Sequence, residues 1–209
     1  MAKIIYLIRH GESVANKQGV YQGQSMDTGL TELGKKQARA VAGVLTHLKL
    51  KAIYTSPLKR TKETAEIIGR QTGLPILENF KLLEINHGSW EGKKTNEFNQ
   101  TEQKLLIRWR EQPDQTKMIK GEALKDVALR CQRFIKSMPD GQEAAVITHD
   151  VIIRVMTIIA LKHELKYIWR FALDNCGITT ISFEPNRLIN LNQNSHLTGV
   201  TSLLNRQAL

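Results

Sequence analysis

Cysteine is scarce: the 209-residue chain has two. Cys131 and Cys176 lie far apart, with no C-x-x-C pair and no Cys/His spacing suited to zinc. That excludes a disulfide framework and a zinc module, and leaves two buried thiols in a reducing compartment as the expectation. Long apolar runs are also missing, so no segment approaches the roughly 20 residues a membrane helix needs. The first apolar run, Lys3 to Ile8, is brief, has no small-residue cleavage site and leads straight into Arg9-His10. It does not read as a signal peptide, and a cytoplasmic protein is expected. Repeats, low-complexity tracts and linkers are absent too, so residues 1–209 read as a single domain.

Acidic residues are outnumbered, and the formal net charge is +10 at pH 7. Such a balance favours anionic ligands. The basic residues are scattered, with no cluster interleaved with aromatics, so nucleic acid is the weaker partner class. Small phosphorylated molecules are the stronger one.

What is present is an alternation of short β-branched runs and helical periodicity. Lys3-Ile4-Ile5-Tyr6-Leu7-Ile8, Ala52-Ile53-Tyr54-Thr55, Pro75-Ile76-Leu77 and Ala144 to Thr148 read as strands. Helices are expected from Thr31, a plausible N-cap, to about Leu48, and over Leu58 to Thr72, Asn96 to Arg110, Leu124 to Ser137 and Val151 to about Lys162. A shorter helix is expected around Lys166 to Ala172, and Leu82 to Lys94 reads as loop. Gly177 to Phe183 and Leu188 to Asn192 flank Glu184-Pro185-Asn186-Arg187, a hairpin signal. The pattern predicts a three-layer α/β/α sandwich with a mostly parallel central sheet and an antiparallel edge strand.

Three strand ends carry related chemistry. The first delivers Arg9 and His10, the second leads through Ser56-Pro57 into Arg60, and a third delivers His149 at the start of a helix. Ligands of open α/β sheets bind at the carboxyl ends of strands. If these strands are neighbours, two arginines and two histidines form an anion cage. Guanidinium groups hold phosphoryl oxygens through paired charge-assisted bonds, and a neutral imidazole can attack phosphorus. No carboxylate cluster calls for a metal, and no cofactor is implied. Taken alone, Arg9-His10 is also compatible with an ordinary strand end, and Glu84 with a solvated loop carboxylate.

The chain resembles the histidine phosphatase, or phosphoglycerate mutase-like, superfamily. The resemblance runs through Leu7-Ile8-Arg9-His10-Gly11-Glu12-Ser13, then Asn16 and Gln22-Gly23. It continues in Leu30-Thr31-Glu32-Leu33-Gly34-Lys35-Lys36-Gln37-Ala38 and in Tyr54-Thr55-Ser56-Pro57-Leu58-Lys59-Arg60-Thr61. Leu83-Glu84-Ile85 with Gly88, Trp90, Glu91 and Gly92 follows, and Val146-Ile147-Thr148-His149 closes the series. The resemblance implies a phosphohistidine on His10, a phosphate pocket of Arg9, Arg60 and His149 with Asn16, Gln22 and Gly23 nearby, and Glu84 as proton donor. Asn175 resembles an asparagine placed beside that pocket. The implied reaction is hydrolysis of a small phosphorylated metabolite, with inorganic phosphate as product. Relatives often form dimers.

Three departures stand out. Asp150 follows the second histidine where a small residue is usual; it fits a helix N-cap and puts negative charge near the phosphate site. Gln24 to Gly29 lacks a tryptophan, and Gly121-Glu122-Ala123 replaces a more usual Gly-Glu-Ser. The residues after Glu84 and the absence of an adjacent arginine pair between Gly92 and Gly121 point to the phosphatase branch over the mutases. Phosphoglycerate-like acids, phosphoserine, α-ribazole phosphate and sugar phosphates all remain open as substrates, and a module that binds anions without turnover is the non-enzymatic alternative. His87 is either a substrate contact or a structural loop histidine. His196 in the tail reads as surface or structural, and His47 and His163 have no motif around them.

Overall fold

The computed structural model describes residues 3–202. Its six strands are β1 (Lys3–Arg9), β2 (Ala52–Thr55), β3 (Ile76–Glu78), β4 (Glu143–Thr148), β5 (Ile178–Phe183) and β6 (Arg187–Gln193). They form one sheet in the order β3-β2-β4-β1-β5-β6. The first four are mutually parallel, and the antiparallel pairings lie on one side, where β5 joins β1 and β6 joins β5.

Alternating side chains of each central strand enter different cores, as a period of two requires. Ile5, Leu7, Ala144, Val146 and Ile181 face one side, packed by α5 (Leu124–Ser137) and α6 (Asp150–Ala160). Ile8, Ile53, Ala145 and Ile147 face the other, packed by α2 (Glu32–Leu45) and α3 (Lys59–Thr72). Two further helices complete the set among the described residues: α1 (Val14–Gln18), beside the first strand's loop, and α4 (Gln100–Glu111). The result is the expected α/β/α sandwich.

Several boundaries have local causes. Thr31 caps α2 by accepting from the Gly34 N–H at 3.0 Å. The helix expected from Asn96 starts at Gln100. Asn99 and Glu102 form a reciprocal capping box there, and residues 95–97 make a separate 3-10 turn. Asp150 is not the cap of α6: His149 holds that position and Asp150 is the first helical residue. Its carboxylate pairs with Arg154 one turn on, at 2.6 Å, so it is not free to cap.

Candidate active site

The sheet order makes β2, β4 and β1 neighbours, so their carboxyl ends share one edge. His10 N–H donates to Thr148 O (3.0 Å) and Ser56 N–H to Ile147 O (3.2 Å), which carries the pairing just past the strands. The next residues out are His10 and His149, whose rings lie 5.3 Å apart, edge to face.

A small hollow opens at this edge. Of the residues expected from sequence, Arg9, His10, Asn16, Gln22, Arg60, Glu84 and His87 line it. His149, Gly23 and Asn175 do not line it; they stand behind those that do. Asn175 Nδ2 donates to His10 O at 2.9 Å, and Gly23 O accepts from Arg60 at 3.0 Å.

His10 Nδ1 lies 2.8 Å from the carbonyl oxygen of Gly11. A carbonyl only accepts, so Nδ1 carries the proton and Nε2 keeps the lone pair. Burial, then Arg60 and Arg9, hold the His10 pKa well below the usual histidine value, so the ring is neutral. The loop carrying it is clamped against two helices. Gly11 N–H donates to Thr64 Oγ1 (3.1 Å) and Glu12 N–H to Gln37 Oε1 (2.8 Å). A Cβ on Gly11 would sit 2.5 Å from Gly34 O, and one on Gly34 would sit 2.1 Å from Glu12 O, so both glycines are demanded by close backbone approach.

His149 Nε2 lies 2.9 Å from Ser56 Oγ, while its Nδ1 is buried with no protein partner. Burial and then Arg60 keep this ring neutral as well.

Arg60, on the first turn of α3, is fixed by Asp27. One Asp27 oxygen accepts from Arg60 Nη1 at 2.8 Å and the other from the Lys59 N–H at 2.5 Å. Arg60 Nε remains buried without a protein acceptor. Arg9 donates to Leu173 O at 2.9 Å and lies 3.8 Å from Asp150. Two guanidinium groups thus face the same hollow as the His10 ring.

Glu84 is buried, and burial is the main reason its pKa rises to about 7; the nearby Asp150 adds to the rise, while the Ile85 N–H, 2.8 Å from Oε1, and Arg60 oppose it. Its segment hangs from Arg130 of α5, which donates to Leu83 O at 2.5 Å, to Glu84 O at 3.1 Å and to Glu122. His87 lies against Trp90 (5.9 Å, stacked), with Tyr21 and Trp109 edge-on, and burial lowers its pKa to about 4. His196 lies away from the hollow: its Nε2 donates to Cys176 O at 2.9 Å, a structural contact.

Sequence reasoning missed a supporting layer. Asp27, Arg130, Arg154, Val151 and Trp169 received no role, although the Asp150/Arg154 spacing of four is a readable helical pair. Glu91 was quoted only as part of a motif. Its carboxylate accepts from the N–H groups of Gln24 (3.1 Å), Ser25 (2.7 Å), Met26 (3.1 Å) and His87 (3.0 Å), which ties the Gln22–Met26 loop to the acid segment. A Cβ on Gly23 would fall 1.9 Å from Glu91 Oε1, so a side chain there would push the carboxylate off the N–H groups it accepts from.

Comparison with known proteins identifies the family of the chain. The profile of the Histidine phosphatase superfamily (branch 1) matches residues 5–195, and the chain belongs to that family. It is 36% identical over 202 residues to "Phosphoserine phosphatase 1" of Hydrogenobacter thermophilus (strain DSM 6534 / IAM 12695 / TK-6), covering 94% of this chain and 95% of that protein. It is 32% identical over 185 residues to "Probable phosphoglycerate mutase GpmB" of Photorhabdus laumondii subsp. laumondii, covering 86% and 85%. Among solved structures, Bacillus stearothermophilus YhfR superposes with a TM-score of 0.88 at 28% identity, covering 93% of this chain and 99% of that one. Among the described residues no helix is long and apolar enough to cross a membrane.

Proposed function

We propose that the chain is a phosphomonoesterase that hydrolyses small phosphorylated metabolites through a phosphohistidine on His10. Arg9 and Arg60 bind the phosphoryl oxygens, with Asn16 and Gln22 lining the same hollow. His10 Nε2 attacks phosphorus in line; the P–N bond forms as the P–O ester bond breaks. Glu84, protonated near neutral pH, gives its proton to the departing alkoxide. The resulting carboxylate then takes a proton from water, which attacks the phosphohistidine and releases inorganic phosphate. The two guanidinium groups stay aimed at the equatorial oxygens, where charge develops. His149 keeps a second neutral imidazole against His10. The chemistry needs no metal, because the arginines carry the charge compensation.

One observation carries this reading: a neutral His10 with its lone pair on Nε2 shares a hollow with two guanidinium groups and a carboxyl group of pKa about 7. Phosphate release from a panel of phosphate esters in EDTA tests it. Release that persists in EDTA and disappears in His10→Ala is expected. Release that EDTA abolishes would overturn it.

The relative named for phosphoserine supports that ester as a substrate. The relative named for phosphoglycerate mutase keeps intramolecular transfer as the second reading. Arg108 and Arg110 of α4 are not among the residues lining the hollow, which favours hydrolysis.

A further inference from the structure

The lining of the hollow divides by chemistry. Arg9, Arg60, Asn16 and Gln22 share it with His10 and are the groups assigned to the phosphoryl oxygens, and Glu84 is assigned to the proton. What remains for the substrate's alcohol is Val151, Trp169, His87 and Asp150, the last 3.8 Å from Arg9. Among the described residues lining the hollow, the lysine and arginine side chains are Arg9 and Arg60 alone, and the phosphate engages both.

Asp150 is the unusual member of the wall. It is 4% exposed, and its two oxygens accept from Arg154 Nε (2.6 Å) and Nη2 (3.3 Å). Arg154 is committed elsewhere as well. Its Nη1 donates to Ile168 O at 2.9 Å and to Phe171 O, and its guanidinium lies 4.9 Å from the Trp169 ring centre. Arg154 is therefore a neutralised strut behind the wall, holding Trp169 and Asp150 in place. A carboxylate on the substrate's alcohol would be desolvated against indole and valine. It would also meet the Asp150 carboxylate, whose two neighbouring guanidinium groups are already committed, Arg154 to Asp150 itself and Arg9, at 3.8 Å, to the phosphate. Like charges so placed repel, and the lining holds no spare cation to offset the repulsion. An ammonium on the alcohol has an acceptor in the same carboxylate.

We infer that Asp150, backed by Arg154 and set beside Trp169, is a specificity-determining residue that selects phosphate esters of uncharged or amino alcohols against esters whose alcohol carries only a carboxylate. The inference rests on the phosphatase reading and narrows its substrate class.

Two matched pairs test it. Glycerol 3-phosphate and 3-phosphoglycerate differ by a hydroxymethyl group in place of a carboxylate. Phosphoserine adds an ammonium beside the carboxylate, and phosphoethanolamine keeps the ammonium alone. The expected kcat/KM for glycerol 3-phosphate exceeds that for 3-phosphoglycerate by about tenfold or more, and phosphoserine also exceeds 3-phosphoglycerate. In Asp150→Asn, the Arg154 guanidinium loses its carboxylate, and the first ratio narrows by about tenfold. Phosphoethanolamine falls relative to glycerol 3-phosphate in the same variant. Turnover of phenyl phosphate reports that each protein is folded and active. If 3-phosphoglycerate matches glycerol 3-phosphate while phenyl phosphate is hydrolysed, the inference is overturned and the phosphatase reading stands. An unchanged ratio in an active Asp150→Asn enzyme overturns it too. If Asp150→Asn does not fold, the wild-type pairs decide. No phosphate from any of the five esters overturns both.

Discussion

The Nδ1–H of His10 donates to the carbonyl of Gly11, its own neighbour, at 2.8 Å. So short a backbone contact settles a chemical question, because it leaves Nε2 as the ring's one lone pair. In the proposed mechanism it also keeps a partner for that proton once Nε2 bonds to phosphorus. The residues that hold this geometry are polar and mostly outside the hollow, and they give the account its tests.

Asn175 is the first. Its amide reaches His10 O at 2.9 Å and lines no part of the cavity. Asn175→Ala should cost about 1 kcal/mol of stability, as one buried hydrogen bond is worth. It should lower kcat while KM changes little, since the nucleophile drifts and the phosphate contacts remain. Steady-state kinetics beside a denaturant melt measure both.

Asp27 anchors Arg60 and the first turn of α3 together. Asp27→Ala frees the guanidinium to leave the phosphate, so kcat/KM should fall by about ten- to a hundredfold, as a charge-assisted contact worth roughly 1.5–3 kcal/mol predicts. Competitive inhibition by inorganic phosphate should weaken in parallel, which isothermal titration can follow.

Glu84 titrates near 7, raised chiefly by burial. Donation needs the protonated form, so turnover of alkyl phosphates should decline as pH rises through about 7. Glu84→Gln should remove that limb and cut alkyl ester turnover by roughly 10²–10⁴. Turnover of p-nitrophenyl phosphate, whose leaving p-nitrophenolate needs little protonation, should suffer far less.

The same group links pH to stability. Its folded pKa lies above the unfolded one, so between about 4.5 and 7 the folded chain binds more protons. Its contribution is therefore intact at low pH and is lost as pH rises through about 7, on the order of 3 kcal/mol in all. Glu84→Gln should melt higher than wild type at pH 8, and the gap should close at pH 5. His10 and His149 act in the opposite sense. Their folded values lie well below the usual histidine value, so acidification below about 6.5 destabilises the fold.

Much of this was legible in the sequence because its signals are local. The range expected for α5, Leu124 to Ser137, is the one observed, since its apolar periodicity runs unbroken between Gly121 and Pro139. The strand-end residues were legible because strand ends bear ligands, and the observed order of β2, β4 and β1 brings them together. The start of α4 was misjudged because the Asn99–Glu102 box competes with an equally polar run before it. Asp150 was assigned to a cap on residue type alone. The i,i+4 spacing to Arg154 offered the pairing that the structure shows, and the cap reading overlooked it. The roles of Asp27, Glu91 and Arg130 depend on loops meeting across the fold, and spacing along the chain does not encode that.

Covalent capture of the phosphoryl group tests the central claim most directly. Enzyme quenched in base during turnover of a phosphate ester, then digested and sequenced by mass spectrometry, should carry one phosphoryl group on the peptide containing His10. Phosphorus NMR of the trapped protein should assign it to Nε2, and both signals should vanish in His10→Ala. Phosphate release without a labelled His10, or label on any other side chain, would contradict the account.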